Sequence, residues 1–262
     1  AELPAMAARA GLSGLALTDH DSVEGVAAAR LAAEAVGIEL VPGVELTSYA
    51  RLPGRSEQTE LHIAGLFVDC ESPDLTDKLR QLRSVRVERV KEITRRLREM
   101  GIEIESEQVL QRGPDAAVGR VHVAQEMIER GYCRDVAEVF GRYIGEGCPA
   151  YVPKEKMTPA EAIELVRSAR GCAVLCHPDL TSAIEEYIEE LVRDGLEALE
   201  VYYPRHTPRD KERLLATARR FDLAVTGGSD FHGAAKPNIN IGQESVSFVE
   251  LHELRRRAGL LV

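Results

Sequence analysis

No apolar run in the sequence approaches the roughly 18 residues needed to span a bilayer, so no membrane helix is expected. Positive charge is also in short supply: 33 Lys and Arg stand against 43 Asp and Glu, a formal net charge of -10. That balance excludes a nucleic-acid coat protein that binds through a broad basic face, and it leaves room for a small anionic substrate in a local basic pocket. Cysteine is sparse and unpatterned: Cys70, Cys133, Cys148, Cys172 and Cys176 are odd in number and form no CxxC pair. The pattern argues against a thiolate zinc site and reads as reduced thiols of a cytoplasmic protein. No internal repeat or low-complexity segment stands out. What remains is a chain of 262 residues, 44% hydrophobic and 29% charged, enough for one large α/β domain or two smaller ones.

The two ends of the chain alternate strand-like and helix-like segments. "GLALT" is a short apolar run and predicts a strand, and "SVEGVAAARLAAEAVG" predicts a helix capped by Ser22 and closed by Gly37. "IELVPGVELTS" and "ELHIAGLFVD" predict two further strands. Such alternation predicts a parallel sheet or barrel, because each parallel crossover uses a helix. The rhythm changes in the middle, where "DKLRQLRSVRVERVKEITRRLREMG" predicts one long charged amphipathic helix, followed by shorter helices in "VHVAQEMIERGYC" and "VAEVFGRYIGEG". Strands return with "CAVLCHP", "LEALEVYYP" and "LAVTGGSDFHG", separated by helices. The expected organisation is a first barrel part over residues 1–70, a helical insertion over 71–165 and a second barrel part over 166–262.

The chemistry-bearing residues gather at the strand ends. Asp19, His20 and Asp21 follow the first strand, the second ends at "PGVE" with Glu45, and His62 lies near the start of the third. His177 follows "CAVLC", and Asp230 and His232 follow the last strong strand. In a parallel barrel the C-terminal strand ends face one rim, so residues distant in sequence converge there. Taken singly, a strand-end histidine is a hydrogen-bonding loop residue and a carboxylate beside glycine is a turn former. Packed together, these groups would repel or desolvate one another without cations between them, so together they read as a multi-metal centre. Imidazole and carboxylate without thiolate suit zinc, manganese or iron. "GRVHVA" places the basic pair Arg120 and His122 after a glycine, which suits a phosphate, and Lys154 in "YVPKEK" would add a cation. His206 in "YYPRHTPRD" stays open between a loop residue and a rim contact, His252 reads as surface, and the arginines of the long helix read as a solvated face.

"LALTDHDSVEG", "PGVELTS", "LHIAG", "CHP" and "GGSDFHG" resemble successive motifs of the PHP family, the polymerase and histidinol phosphatase superfamily, across nearly the whole chain. With "GRVHVAQEM" inside a helical insertion, the chain is most similar to the small stand-alone bacterial PHP phosphoesterases, a group that includes nucleoside 3′,5′-bisphosphate phosphatases acting also as 5′–3′ exonucleases on short RNA. The resemblance implies a distorted (β/α)7 TIM-like barrel with a helical insertion domain, and two or three divalent ions of manganese, zinc or iron. It implies that Glu45 bridges two metals, that His62 and His177 bind one, Asp230 a second, and His20 and His232 a third. Asp19 and Asp21 would support His20, and Arg120, His122, Lys154 and His206 would contact the substrate. The implied reaction is hydrolysis of a nucleotide phosphomonoester, and of short RNA, by a metal-bound hydroxide, with His206 as proton donor to the leaving group. The alternatives are a histidinol-phosphate phosphatase and a non-catalytic PHP module that binds phosphate or nucleic acid. One departure stands out. The family begins with a strand carrying two histidines one residue apart, followed by an Asp-Gly turn, and that motif is absent here. A barrel without its first strand would expose two unpaired edges, and the other ligands are intact, so the expectation is that the strand precedes Ala1 and that the site of the sequence as it stands is incomplete.

Overall fold

The computed structural model describes residues 2–112, 118–154, 156–178, 182–233 and 236–260. In chain order the elements are α1 (Leu3–Arg9), β1 (Gly14–Leu17), α2 (Glu24–Val36), β2 (Glu39–Ala50), β3 (Thr59–Leu66), α3 (Pro73–Glu99), α4 (Ser106–Gln111), α5 (Arg120–Glu129) and α6 (Val136–Val139), which runs into a π turn over Phe140–Ile144. They continue with α7 (Pro159–Ser168), β4 (Cys172–Leu175), α8 (Ser182–Asp194), β5 (Ala198–Tyr202), α9 (Pro208–Arg220), β6 (Ala224–Gly227) and α10 (Phe248–Arg257). The chain divides into two compact units, one of Ala1–Thr76 with Met157–Val262 and one of Asp77–Lys156. Gly37 closes α2 in the left-handed conformation, as its position predicts. Ser22 is not the N-cap: Val23 holds that position, and Ser22, one residue before it, accepts from the Glu24 amide through its hydroxyl.

The first unit is a mixed α/β fold. Its sheet orders the six described strands as β1-β2-β3-β4-β5-β6. β1–β2, β4–β5 and β5–β6 are parallel. The alternation in the sequence predicts an all-parallel sheet, and here it is corrected: β3 runs antiparallel to both β2 and β4. The reason is local. Eight residues, 51–58, join β2 to β3, too few for a parallel crossover, which needs a dozen or more. The reversal brings the N-terminal half of β3, with His62, to the level where β1 and β4 end. It also explains why His62 precedes its strand's apolar run while His20, His177 and Asp230 follow theirs. The expectation that the second strand ends at Glu45 is corrected, because pairing with β3 carries β2 on to Ala50.

β4 is buried along its whole length, and its neighbours bury both faces, which is why "CAVL" reads as a continuous apolar run. One face packs Val41, Ala64, Leu66, Cys172, Val174, Ala198 and Ala224 against Leu254 of α10. Pro42 fits inside β2 because β1 ends opposite it, at the Leu17–Pro42 pair. None of the five cysteines is paired, and among the described residues no helix is long and apolar enough to cross a membrane.

The regular elements of the second unit are all helices among its described residues. Val90, Ile93 and Leu97 share one face of α3 and join Ile104, Met127 and Ile144 in a separate core. The outer face of α3 pairs Lys91 with Glu88 and Glu92 with Arg95 and Arg96. These exposed pairs contribute little. Glu126 differs: its side chain is only 7% exposed and is gripped by Arg112 and Arg130. Arg112→Ala therefore leaves a buried carboxylate with half its partners and is expected to lower stability by about 2 kcal/mol. Arg95→Ala, on the solvent face, should change stability far less, and chemical denaturation of both variants checks the contrast.

Candidate metal centre

The chain leaving β1 is tied to β2 by a short bridge. The Asp21 amide donates to the Glu45 carbonyl at 2.9 Å, and the Glu45 amide donates to the Asp19 carbonyl at 3.1 Å. His20 is thereby held beside Glu45. The Asp21 carboxylate accepts from the Thr47 amide at 3.2 Å and pins the same strand. Asp19 is exposed, and partial desolvation pushes its carboxyl up. On the other side of β2, Glu45 lies directly opposite Ala64, and His62 lies opposite Thr47. Glu45 and His62 are thus diagonal neighbours on one sheet face, and the small Ala64 leaves the space in which they meet.

Glu45 is the hub. One carboxylate oxygen, Oε1, lies 2.6 Å from His62 Nδ1 and 3.3 Å from His177 Nε2. The two imidazole nitrogens are 3.3 Å apart. The His20 ring stands 5.1 Å from that of His62 and 5.8 Å from that of His232. Single donor atoms of His20, Glu45 and His62 all lie within 4.8 Å of one another. His232 Nδ1 sits 2.8 Å from the Asp230 carbonyl and 3.1 Å from its Oδ1. The other Asp230 oxygen faces Lys236 Nζ at 2.5 Å and accepts from the Tyr203 hydroxyl at 3.4 Å.

Three residues at strand exits, Asp21, His177 and Asp230, have positive φ of 49°, 27° and 51°. Such backbone is unfavourable for side chains with a Cβ and clusters where geometry serves a site. His177 is held there by its amide, which donates to Glu200 Oε2 at 2.6 Å. A cavity of about 530 Å³ opens over His20, Glu45, His62, His177 and Asp230, with His206 on its wall. His206 Nδ1 lies 2.9 Å from the Val201 carbonyl, and its ring packs on Tyr203. His252 is exposed on α10. Arg120, His122 and Lys154 belong to the second unit. There Arg120 stacks over Phe140 and Tyr151 and donates to the Ile144 carbonyl, and His122 Nδ1 accepts the Gly119 amide at the start of α5.

Sequence reasoning passed over Glu200, Tyr203, Lys236 and Glu60. An acid inside the apolar "LEALEVYYP" was a legible signal for Glu200, since a lone carboxylate in a buried strand needs a partner. Burial pushes Glu200 up to about 7. Burial would also raise Glu45, but hydrogen bonds from His177 and His62 hold its carboxyl well below the usual range. Burial would lower His62, yet its bonds to Glu45 and Glu60 raise it to about 9. The donor set fits a divalent cation: imidazoles and one buried carboxylate, with no thiolate, because burial lifts the nearby Cys176 thiol far above its ordinary value.

A cation must displace a proton from His62 to use it. The bond to Glu45 raises His177 as well, so metal binding releases protons from these imidazoles, and affinity should rise with pH and level off above about 9. Manganese titrations at several pH values check this. The metal-free fold carries the opposite dependence: the stability from protonated His62 is present below about 6.5 and is lost as pH rises through about 9.

An α/β sheet that gathers imidazoles and a buried carboxylate at one end of its strands is the architecture of a metal-dependent hydrolase. No protein-family model matches the chain. It is 33% identical over 238 residues to the 5′-3′ exoribonuclease Rnm of Escherichia coli K12, covering 88% of this chain and 78% of that one. It is 31% identical over 235 residues to the 3′,5′-nucleoside bisphosphate phosphatase of Chromobacterium violaceum, covering 87% and 80%. A solved structure from Bifidobacterium adolescentis, described as a metal-dependent phosphoesterase, superposes with a TM-score of 0.78 at 28% identity, covering 97% of this chain and 89% of that one. The chain belongs to the PHP superfamily and is a metal-dependent phosphoesterase.

Proposed function

We propose that the protein removes a phosphate from a nucleotide, with a 3′,5′-bisphosphonucleotide as the preferred substrate and short RNA as a second one. The observation that carries this reading is the convergence of His62 and His177 on one oxygen of Glu45, with His20 alongside. The relatives that act as exoribonuclease and bisphosphate phosphatase support the substrate class. In this reading the sheet belongs to a distorted (β/α)7 barrel, residues 71–165 form its insertion, and the protein works in the cytoplasm.

Two or three ions of manganese, zinc or iron would be held by Glu45 with His62 and His177, by Asp230, and by His20 with His232. When bound, they supply Lewis acidity that activates water and neutralises phosphoryl charge. The protein's own groups do the rest. Glu200 holds the His177 backbone, and Asp21 holds Thr47, so the imidazoles keep their directions. Arg120, in the first turn of α5, suits phosphate oxygens through its guanidinium, and His122, whose Nδ1 accepts the Gly119 amide, through its Nε2–H. The Val201 carbonyl fixes His206 Nδ1, so the proton passed to a leaving alkoxide is the one on Nε2 of the imidazolium.

The test is release of inorganic phosphate from adenosine 3′,5′-bisphosphate in manganese, its loss in chelator and its return on adding metal back. Histidinol phosphate serves as the competing substrate. Tight nucleotide binding with no turnover under any metal would overturn the enzymatic reading.

A further inference from the structure

We propose that Arg55 and Arg205, which line the metal cavity, form a second anion subsite that takes a phosphate other than the one hydrolysed. The inference rests on the nucleotide reading above and extends it to residues outside the metal cluster. Both arginines line the same cavity of about 530 Å³ as Glu45, His62 and His177. Arg55 lies in the connection between β2 and β3, and Arg205 lies between β5 and α9. Both are exposed.

Charge matching within the cavity singles them out. Each carboxylate on its wall already has a donor. Glu45 has His62 and His177, and Glu60 has His62 and the Tyr49 hydroxyl. Asp230 has Lys236, and Asp210 has the amide and hydroxyl of Thr207. Lys236 is consequently spent on Asp230. Neither the Arg55 nor the Arg205 guanidinium has a hydrogen bond or ion pair among the described residues. Elsewhere arginine in this chain is commonly matched to a carboxylate, as at Arg95, Arg112, Arg213, Arg255 and Arg257. In a chain of net charge -10, two unmatched guanidiniums over one cavity are a local positive field aimed at an anion. The planar fork of each pairs two phosphate oxygens at once.

The metal donors and the two arginines line the same cavity and are different groups, so a substrate that engages both sets carries two phosphates. The shared chemistry is a phosphate oxyanion, borne either by the second phosphomonoester of a bisphosphonucleotide or by the next diester of an oligonucleotide. A substrate with one phosphate leaves the arginines unused.

The experiment compares adenosine 3′,5′-bisphosphate, a 5′-phosphorylated RNA tetranucleotide and AMP, using the wild-type chain and the variants Arg55→Ala, Arg205→Ala and their lysine counterparts. KM and kcat are measured in manganese, and binding to the metal-free chain is measured by calorimetry. Each alanine variant is expected to raise KM for the bisphosphate roughly tenfold, with kcat for the bisphosphate and kcat/KM for AMP unchanged. The lysine variants should recover part of the loss, because charge returns without the fork. A loss confined to the tetranucleotide would assign the subsite to the diester source. Equal losses on AMP and the two larger substrates, or no loss on either of them, would overturn the subsite. Arginine-dependent bisphosphate binding without turnover would refute the substrate reading and leave the subsite standing. Melting curves of the variants check that these exposed positions leave the fold intact.

Discussion

Glu45→Gln abolishes metal-dependent phosphate release, with an expected loss of about a thousandfold or more in kcat, on the order of 4 kcal/mol in the barrier. Glutamine keeps the size of the side chain and removes its charge. The single oxygen that His62 and His177 approach at 2.6 and 3.3 Å becomes part of a neutral amide, which holds no cation between imidazoles. Metal content after gel filtration should fall together with turnover. His62 keeps Glu60 at 3.2 Å, so the variant should still fold. A Glu45→Gln protein with near-native metal content and activity would remove Glu45 from the centre and, with it, the observation on which the functional reading rests.

Gly227→Ala is the corresponding test of the scaffold. A Cβ there would stand 2.4 Å from Tyr202 Cβ, 2.6 Å from its carbonyl oxygen and 3.0 Å from its Cα. None of these atoms is the end of a flexible side chain, so relief requires β5 and β6 to separate. The two strands already shift register between Glu200 and Tyr202, and the Gly228 amide donates to the Tyr202 carbonyl at 2.9 Å to close that irregular pairing. A loss of about 3 kcal/mol is expected, on the order of 10 °C in Tm. Activity should fall further than stability, since Glu200 and Tyr203 flank the same pairing and steady His177 and Asp230. Gly228→Ala is the internal control: its nearest neighbour would be Glu200 Oε1 at 4.0 Å, and little change in Tm is expected. Equal melting points for the two variants would show that the close approach at Gly227 is relieved cheaply.

Much of this site is written in the sequence. The apolar runs that precede His20, His177 and Asp230 are the strands β1, β4 and β6. Gly37 ends α2 where its position predicts. What was harder to read is relational. The direction of β3 was signalled only by the shortness of the segment before it, a feature of connection length that composition does not carry. Lys236 lies six residues beyond Asp230 in a stretch with no periodicity, so nothing in its neighbours announces that it pairs with that carboxylate. Arg120 and His122 show the reverse problem. Their spacing suits a phosphate, yet the same residues also serve the second unit locally, through an aromatic stack and an amide bond at the start of α5. A spacing argument cannot separate these uses, because both draw on the same donors.

The reversal of β3 also sets an order of assembly. Glu45 and His62 are seventeen residues apart and belong to one hairpin, so their meeting requires only a short loop to close. His177 lies 115 residues beyond His62, with the whole second unit between them. As the chain emerges from the ribosome, the carboxylate and its first imidazole can come together early, while the second imidazole must wait for the intervening helices to be made. The centre is thus half local and half distant, and its completion reports that both stretches of the first unit have found each other.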